Sequence, residues 1–363
     1  MTIPATTVDL FAGPGGWAEG LRLLGLPEAG LEWGAAACAT RVAAGHRMTV
    51  RCDVAQYPTA PFAGRARTVI ASPPCQPYSR AGKGLGKLDQ PLVHQAVADL
   101  AAGRDTRAKI LAACKDPRSL LAAEPMRWHH ALRPETILLE QVPDVLPLWR
   151  LYAQILRGWG YSVWCGTLNA ADYGVPQTRE RAILIASRVR PVSAPEPTHT
   201  RTPGGHLFGP GLPARVTMAQ ALEWPTGVEI NTRGDRRTSG GNNFPADRPS
   251  WALTEKARSW WVLRQGARSN ATTRRLDQPA ATIVAGHSRR DYVWQTVGDG
   301  PVERRPLALS EAAVLQGFPA GYPFQGSESK AFQQIANAVP PLLAAHVAAA
   351  ALGVPFLERR VAA

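Results

Sequence analysis

The sequence predicts a doubly wound α/β fold with a mostly parallel sheet, followed by a smaller β-rich domain. Three observations carry this expectation. Short apolar strands alternate with Ala-rich helical stretches from Thr6 to about Ser187, the pattern of a parallel sheet with crossover helices. Composition then shifts: Arg190–Pro213 is rich in proline, glycine and threonine and reads as a linker or extended loop. Beyond it, Val216 to about Gly300 holds short β-like pieces, many arginines and several tryptophans. The expected division is therefore residues 1–188, the α/β domain; 189–300, a small β-rich domain; and 301–363, a C-terminal segment returning to the first domain.

The strand candidates in the first domain are Thr7–Phe11, Gly30–Ala35, Thr68–Ala71, Thr136–Glu140, Tyr161–Thr167 and Ala182–Ala186. Ala37–Gly45 and Leu92–Ala102 are two of the helices expected between them. In the small domain, Asp247–Leu253 echoes Asp277–Ile283, both reading Asp-x-Pro before a strand-like run, so two similar turn-plus-strand units are expected to pair. The C-terminal segment is helical again. Ser310 is placed to cap a helix over Glu311–Gln316, and Pro340-Pro341 to open one over Leu342–Leu352.

At 363 residues the chain is long enough for a large core plus a smaller domain, and its 45% hydrophobic content gives no reason to invoke disorder. Its formal net charge of +13 points to a polyanionic partner, nucleic acid before membrane. The five cysteines include no Cys-x-x-Cys pair, so neither a zinc ribbon nor a disulfide framework is expected, and no metal site. The start Met1-Thr2-Ile3-Pro4 lacks the layout of a signal peptide, and no uninterrupted apolar run is long enough to span a bilayer. The expectation is a cytoplasmic, monomeric protein acting on the nucleoid.

One cysteine stands apart. Cys75 lies in Ser72-Pro73-Pro74-Cys75-Gln76-Pro77-Tyr78-Ser79, directly after the apolar run Thr68–Ala71. Prolines fix their own φ and push the preceding residue out of helix, so this strand ends in a pre-set loop presenting a thiol at the sheet edge. Open α/β sheets bind ligands at that edge. A nucleophile and a structural cysteine near a turn both fit this placement. The first strand runs into Phe11-Ala12-Gly13-Pro14-Gly15-Gly16, a glycine turn that lets a ligand approach the backbone; no Lys-Ser/Thr pair follows, which disfavours a triphosphate site. Glu32 ends the next apolar run, where such sheets place a carboxylate against ribose hydroxyls. Trp33 beside it suits either an adenine face or core packing.

Taken in order, these segments resemble the C5-cytosine DNA methyltransferase family over nearly the whole chain. Phe11–Gly15 resembles the first family motif, Glu32-Trp33 the ribose and adenine positions, and Cys52-Asp53-Val54 the third motif. Pro73-Pro74-Cys75-Gln76 matches the nucleophile motif, Glu140-Gln141-Val142 the usual Glu-Asn-Val, and Gln177–Arg181 the Gln-x-Arg-x-Arg motif. Arg275–Ile283 resembles the ninth motif and Gln334–Pro340 the tenth. Three residues depart from the pattern: Gln141 for asparagine, Ala336 for glycine, and Gly34 where aspartate is frequent. They bear on loop bracing and on the cofactor wall, not on the reacting groups.

The resemblance implies a Rossmann-like methyltransferase core with a target-recognition domain, S-adenosyl-L-methionine as cofactor and double-stranded DNA as partner. Cys75 is then the nucleophile, Glu140 contacts the cytosine ring, Arg181 holds its carbonyl oxygen, and Arg179 braces the site or touches DNA. Phe11, Gly13, Gly15, Glu32, Trp33, Asp53, Val54, Pro74, Asn337 and Val339 are the implied cofactor contacts. The loop Ser79–Lys87, with Arg80, Lys83 and Lys87 among its glycines, reads as a lid over DNA. Arg233, Arg236, Arg237, Asn242, Asn243, Arg258, Arg264, Arg268, His287, Arg289 and Arg290 are candidate DNA contacts, and Trp260 and Trp261 candidate small-domain core. The competing readings are an RNA cytosine methyltransferase, a DNA-binding relative without activity, and an enzyme with an altered group donor.

Overall fold

The computed structural model describes residues 7–78, 85–204, 211–223, 229–231, 243–245, 261–265, 272–284, 291–296 and 304–356. Eight strands belong to the first domain: β1 Thr7–Leu10, β2 Ala29–Glu32, β3 Thr49–Arg51, β4 Thr68–Ala71, β5 Thr136–Gln141, β6 Ser162–Asn169, β7 Gln177–Thr178 and β8 Glu180–Ser187. All but β7 join a seven-stranded sheet in the order β3-β2-β1-β4-β5-β8-β6. The neighbours from β3 through β5 pair in parallel; β8 runs antiparallel to both β5 and β6. The link between β6 and β8 holds only a 3₁₀ turn and the short β7, with no crossover helix to return the chain in parallel. The sequence reading omitted β3, a three-residue edge strand whose half-exposed side chains give no clear apolar signal.

The strand order reverses between β1 and β4. The chain winds outward from β1 to β3, then returns to the other side of β1. Such a reversal opens a crevice at the carboxyl ends of the strands. Registers align those ends: Leu10 lies between Leu31 and Ala71, and Ala71 faces Leu139. The segments that follow them, from Phe11, Glu32, Ser72 and Glu140, therefore converge.

A second, antiparallel sheet contains β11 Trp261–Gln265, β12 Thr272–Arg275, β14 Tyr292–Thr296 and β15 Arg304–Pro306 in the order β12-β11-β14-β15. β9 Glu229–Asn231 and β10 Asn243–Pro245 form a two-stranded ribbon. β13 Ala280–Ala281 leaves the small sheet and pairs in parallel with β7, stitching the two parts together. Of the two echoing segments, Asp277–Ile283 carries β13, while Asp247–Leu253 lies outside the described residues.

Residues 304–356 divide between two cores. β15 and the helices Leu309–Leu315 and Glu328–Asn337 pack with the small sheet, where Leu315, Phe332 and Ile335 meet Leu263, Tyr292 and Trp294. The last helix, Pro341–Leu352, lies on the large sheet, where Leu343 and Val347 cluster with Trp17, Leu21, Ile70 and Ile183. Its close approach to the helix Gly16–Leu23 depends on Gly20, where a Cβ would come within 2.7 Å of the Ala344 methyl. Ser310 sits inside its helix rather than at the cap; Glu311 reaches back to the Ala308 amide at 2.9 Å instead. Among the described residues, Glu328–Leu352 alone is long and apolar enough for a membrane span, but two helices share it and most of it is buried in the protein.

Candidate active site

The loop after β4 is held at both ends of its proline pair. Ser72 Oγ accepts a hydrogen bond from Trp17 Nε1 at 2.9 Å, and the Pro73 carbonyl accepts one from Gln141 Nε2 at 2.6 Å. Gln141 Oε1 in turn accepts from the Val142 amide at 2.6 Å. The departure Gln141 thus bridges the nucleophile loop to the segment after β5. Cys75 follows, its carbonyl accepting from the Tyr78 amide at 2.9 Å and its Sγ lying 4.0 Å from Asn337 Oδ1. Burial raises the thiol pKa; Arg181 opposes the rise, Glu140 adds to it, and Arg179 opposes it more weakly.

Glu140, near the end of β5, is buried at 6% exposure and pairs with Arg181 on the adjacent β8, Oε1 to Nε at 2.9 Å. A buried pair of this kind holds its geometry because separating either charge from the other is costly. Arg179 is used differently. It is 1% exposed, and its guanidinium donates to the carbonyls of Ile283 at 3.1 Å, Ala336 at 2.8 Å and Ala338 at 3.2 Å. Burial pulls its pKa well below the arginine range, with Arg181 adding to the shift. Of the two expected roles, this geometry matches bracing: the charge ties the β7–β8 junction to Ile283 and to the tenth motif itself.

A cavity of about 1370 Å³ opens at the strand ends. Phe11, Gly13, Glu32, Trp33, Asp53, Val54, Pro74, Asn337 and Val339 line it, together with Cys75, Glu140 and Arg181. Glu32 shapes its near end, accepting from the amides of Gly13 at 2.8 Å and Gly34 at 2.6 Å. Trp33 is 71% exposed, which excludes core packing and leaves its ring free to cover a planar ligand. Both Phe11 and Gly13 have positive φ, 60° and 54°, which turns the chain sharply at the mouth. Size, a carboxylate beside backbone amides and an exposed ring suit a nucleoside-bearing molecule.

Two residues face elsewhere than the sequence suggested. Gly15 is not on the cavity wall; at φ 108° it packs inward, where a Cβ would meet the Tyr322 hydroxyl at 2.8 Å and His46 Nε2 at 3.0 Å. Ala336 lies with the small-sheet core and the second cavity, so its extra methyl is not on the donor wall.

That second cavity, about 860 Å³, shares Cys75, Gln76, Val142, Arg181 and Asn337 with the first and continues as a cleft toward the small sheet. Arg201, Arg215 and Arg274 line it, none of them singled out in the sequence. Arg215 pairs with Asp172 at 2.7 Å, and the buried Nε of Arg274 has no hydrogen-bond partner among the described residues. Nothing in their sequence spacing distinguishes these arginines from the many others. Among the residues that were singled out, Arg264 lies in β11 and Asn243 in β10. Arg233, Arg236, Arg237, Asn242, Arg258, Arg268, His287, Arg289, Arg290 and Trp260 fall outside the described residues, as does Ser79–Gly84 of the proposed lid. Its end, Leu85–Lys87, begins a helix, and Lys87 pairs with Asp144 at 3.0 Å.

A nucleoside-sized cavity at the switch point of a parallel sheet, opening onto a half-buried thiol, fits the Rossmann-like methyltransferase class. The sequence model of the C-5 cytosine-specific DNA methylase family matches residues 5–101 and 107–352, and the chain belongs to that family. It is a DNA (cytosine-5)-methyltransferase. It is 27% identical to the type II methyltransferase M.AplI of Arthrospira platensis, over 94% of this chain and 84% of that one. With M.Eco47II of Escherichia coli the identity is 28%, over 92% and 76%. The fold is shared with a putative DNA modification methyltransferase encoded in an E. coli prophage, at TM-score 0.58 and 18% identity over 96% of this chain and 98% of the other. S. pombe Dnmt2 methyltransferase gives TM-score 0.56 at 16% identity, with the same coverage.

Proposed function

We propose that this enzyme methylates carbon 5 of a cytosine flipped out of double-stranded DNA, through a covalent bond between Cys75 and carbon 6, with S-adenosyl-L-methionine as donor. The observation that carries the reading is convergence: Cys75, Glu140 and Arg181 line the donor cavity, and Cys75 and Arg181 also line the cleft beside it. S-adenosyl-L-methionine supplies an electrophilic methyl group on a sulfonium. Glu32 and Trp33 hold the ribose and adenine, and Gly13 allows close backbone approach. A base within a duplex is out of reach, so the cytosine leaves the stack and enters the cleft.

Cys75 as thiolate adds to carbon 6, and the displaced electrons make carbon 5 nucleophilic. Glu140 contacts ring nitrogen 3 and the exocyclic amine, and in its protonated form hands a proton to nitrogen 3 as negative charge develops on the ring. Arg181 orients Glu140 and holds the ring carbonyl oxygen. Carbon 5 takes the methyl group as the sulfur–methyl bond breaks, which would leave the donor as a neutral thioether, and nitrogen 3 returns its proton to Glu140; a base or water then removes the carbon 5 proton, those electrons restore the double bond, and Cys75 leaves as thiolate. Arg179 supports this arrangement from behind. In this reading the enzyme acts as a monomer in the cytoplasm, as the methylating member of a restriction-modification pair; its likeness to type II methyltransferases supports that setting.

Labelled S-adenosyl-L-methionine and mixed-sequence duplex test the reading. Label should enter DNA, bisulfite sequencing should locate it at one cytosine context, and Cys75→Ser should lower kcat by about 10⁴-fold or more. A duplex carrying 5-fluorocytosine at that site should yield a denaturant-resistant complex, since fluorine cannot leave as the proton does. Undiminished transfer by Cys75→Ser would refute the covalent route.

A further inference from the structure

We infer that Arg107, Glu124 and Arg127 form a clamp that positions the turn Asp53–Tyr57 for the adenosine end of the donor, a role that rests on the donor reading above. Glu124 is 2% exposed and begins the helix Glu124–Leu132. Its carboxylate is held from two sides: Arg107 donates to Oε1 at 2.6 Å, and Arg127 Nε donates to Oε2 at 3.0 Å. Each arginine also reaches the same turn. Arg107 donates to the Ala55 carbonyl at 2.8 Å; Arg127 donates to those of Val54 at 2.6 Å and Tyr57 at 3.1 Å.

Without this clamp the turn is secured mainly by local bonds: the Asp53 carbonyl accepts from the Gln56 and Tyr57 amides, and its carboxylate from the Ala55 amide. The clamp sets where that turn stands relative to the sheet. Asp53, Val54, Ala55, Arg107 and Glu124 all line the donor cavity. Charge is balanced within the cluster, because Asp105 grips the outer edge of Arg107 at 2.9 and 2.6 Å. The two guanidiniums therefore face two carboxylates and need no ligand charge for neutrality. Charge-assisted bonds at low exposure are strong and directional, which suits them to fixing a loop. None of the three hydrogen-bonds to Cys75, Glu140 or Arg181, so the clamp is a positioning device and takes no part in bond making.

The role separates from simple fold support by what changes. S-adenosylhomocysteine binding is measured by calorimetry on wild type, Glu124→Gln and Arg107→Met, alongside KM for the donor, kcat and melting temperature. Arg107 is 21% exposed at its side chain, so its replacement leaves the buried Glu124–Arg127 pair in place and serves if Glu124→Gln fails to fold. Both variants should bind about ten-fold more weakly, the loss of roughly one charged hydrogen bond. KM should rise by the same factor, with kcat at saturating donor within about two-fold of wild type, and Arg107→Lys should recover part of the loss. Folded variants that bind as wild type does, with only the melting temperature lowered, overturn the clamp alone. A wild-type protein that does not bind the ligand overturns the donor reading and the clamp with it.

Discussion

On the large-sheet side of the cleft, Glu140 and Arg181 project from neighbouring buried strands and satisfy each other at 2.9 Å, while Gln141 locks the nucleophile loop beside them. Across the cleft, Arg274 comes from β12 at the edge of the small sheet, and Arg201 and Arg215 from the connecting segment beyond β8. The first wall is held by bonds internal to the protein before any substrate arrives. The second presents cationic groups from an edge and a loop; Arg215 is tied to Asp172, while Arg274 keeps a buried Nε with no hydrogen-bond partner among the described residues. Reaction chemistry needs fixed angles and is built where strand ends converge; recognition has to vary between relatives and is built on edges.

The largest break in that contrast should come from Glu140→Gln. It removes the charge partner of Arg181 and the carboxylate facing the ring, and kcat should fall about 10²- to 10⁴-fold with DNA affinity little changed. A matching fall in DNA affinity would show that the two walls do not divide the work. Acidity should sharpen the comparison next. Burial raises the Cys75 thiol pKa and thiolate is the reactive form, so single-turnover rates should climb with pH, up to about ten-fold per unit, without levelling near neutrality. The linked effect on stability has the opposite sign. The folded chain holds this proton more tightly than the unfolded one, so Cys75 should cost stability as pH rises above about 8.5. A rate flat from pH 6 to 9 would place the thiolate outside the rate-determining chemistry. The smallest effect belongs to the far wall: Arg274→Ala should lower the salt dependence of DNA binding by about one ion, with kcat at saturating DNA unchanged. A fall in kcat instead would move Arg274 to the reacting side.

Much of this was legible in the chain because strands and their exits leave local signals. The β4 strand and its proline-cysteine exit, the glycine turn after β1, and Glu32 at the end of β2 are contiguous features, and the structure brings all of them to one cavity. The edge strand β3 leaves no such signal, because its three residues, two half-exposed and one exposed, carry no periodicity. Gly15, Arg179 and Ala336 sit in motifs whose spacing marks them as important without saying what they face. Each is read correctly only beside its distant neighbours, Tyr322 and His46 for Gly15, and the Ile283 and Ala338 carbonyls for Arg179.

The sequence by itself determined the reaction class and the doubly wound, mostly parallel sheet, since hydrophobic alternation, proline geometry and short motifs are properties of neighbouring residues. Tertiary structure alone decided which arginine pairs with Glu140, which braces backbone carbonyls and which line the cleft. It also decided that residues 304–356 split between two cores. Those outcomes depend on which buried donor meets which acceptor across the fold, and a polar group removed from water takes whatever partner packing brings within reach.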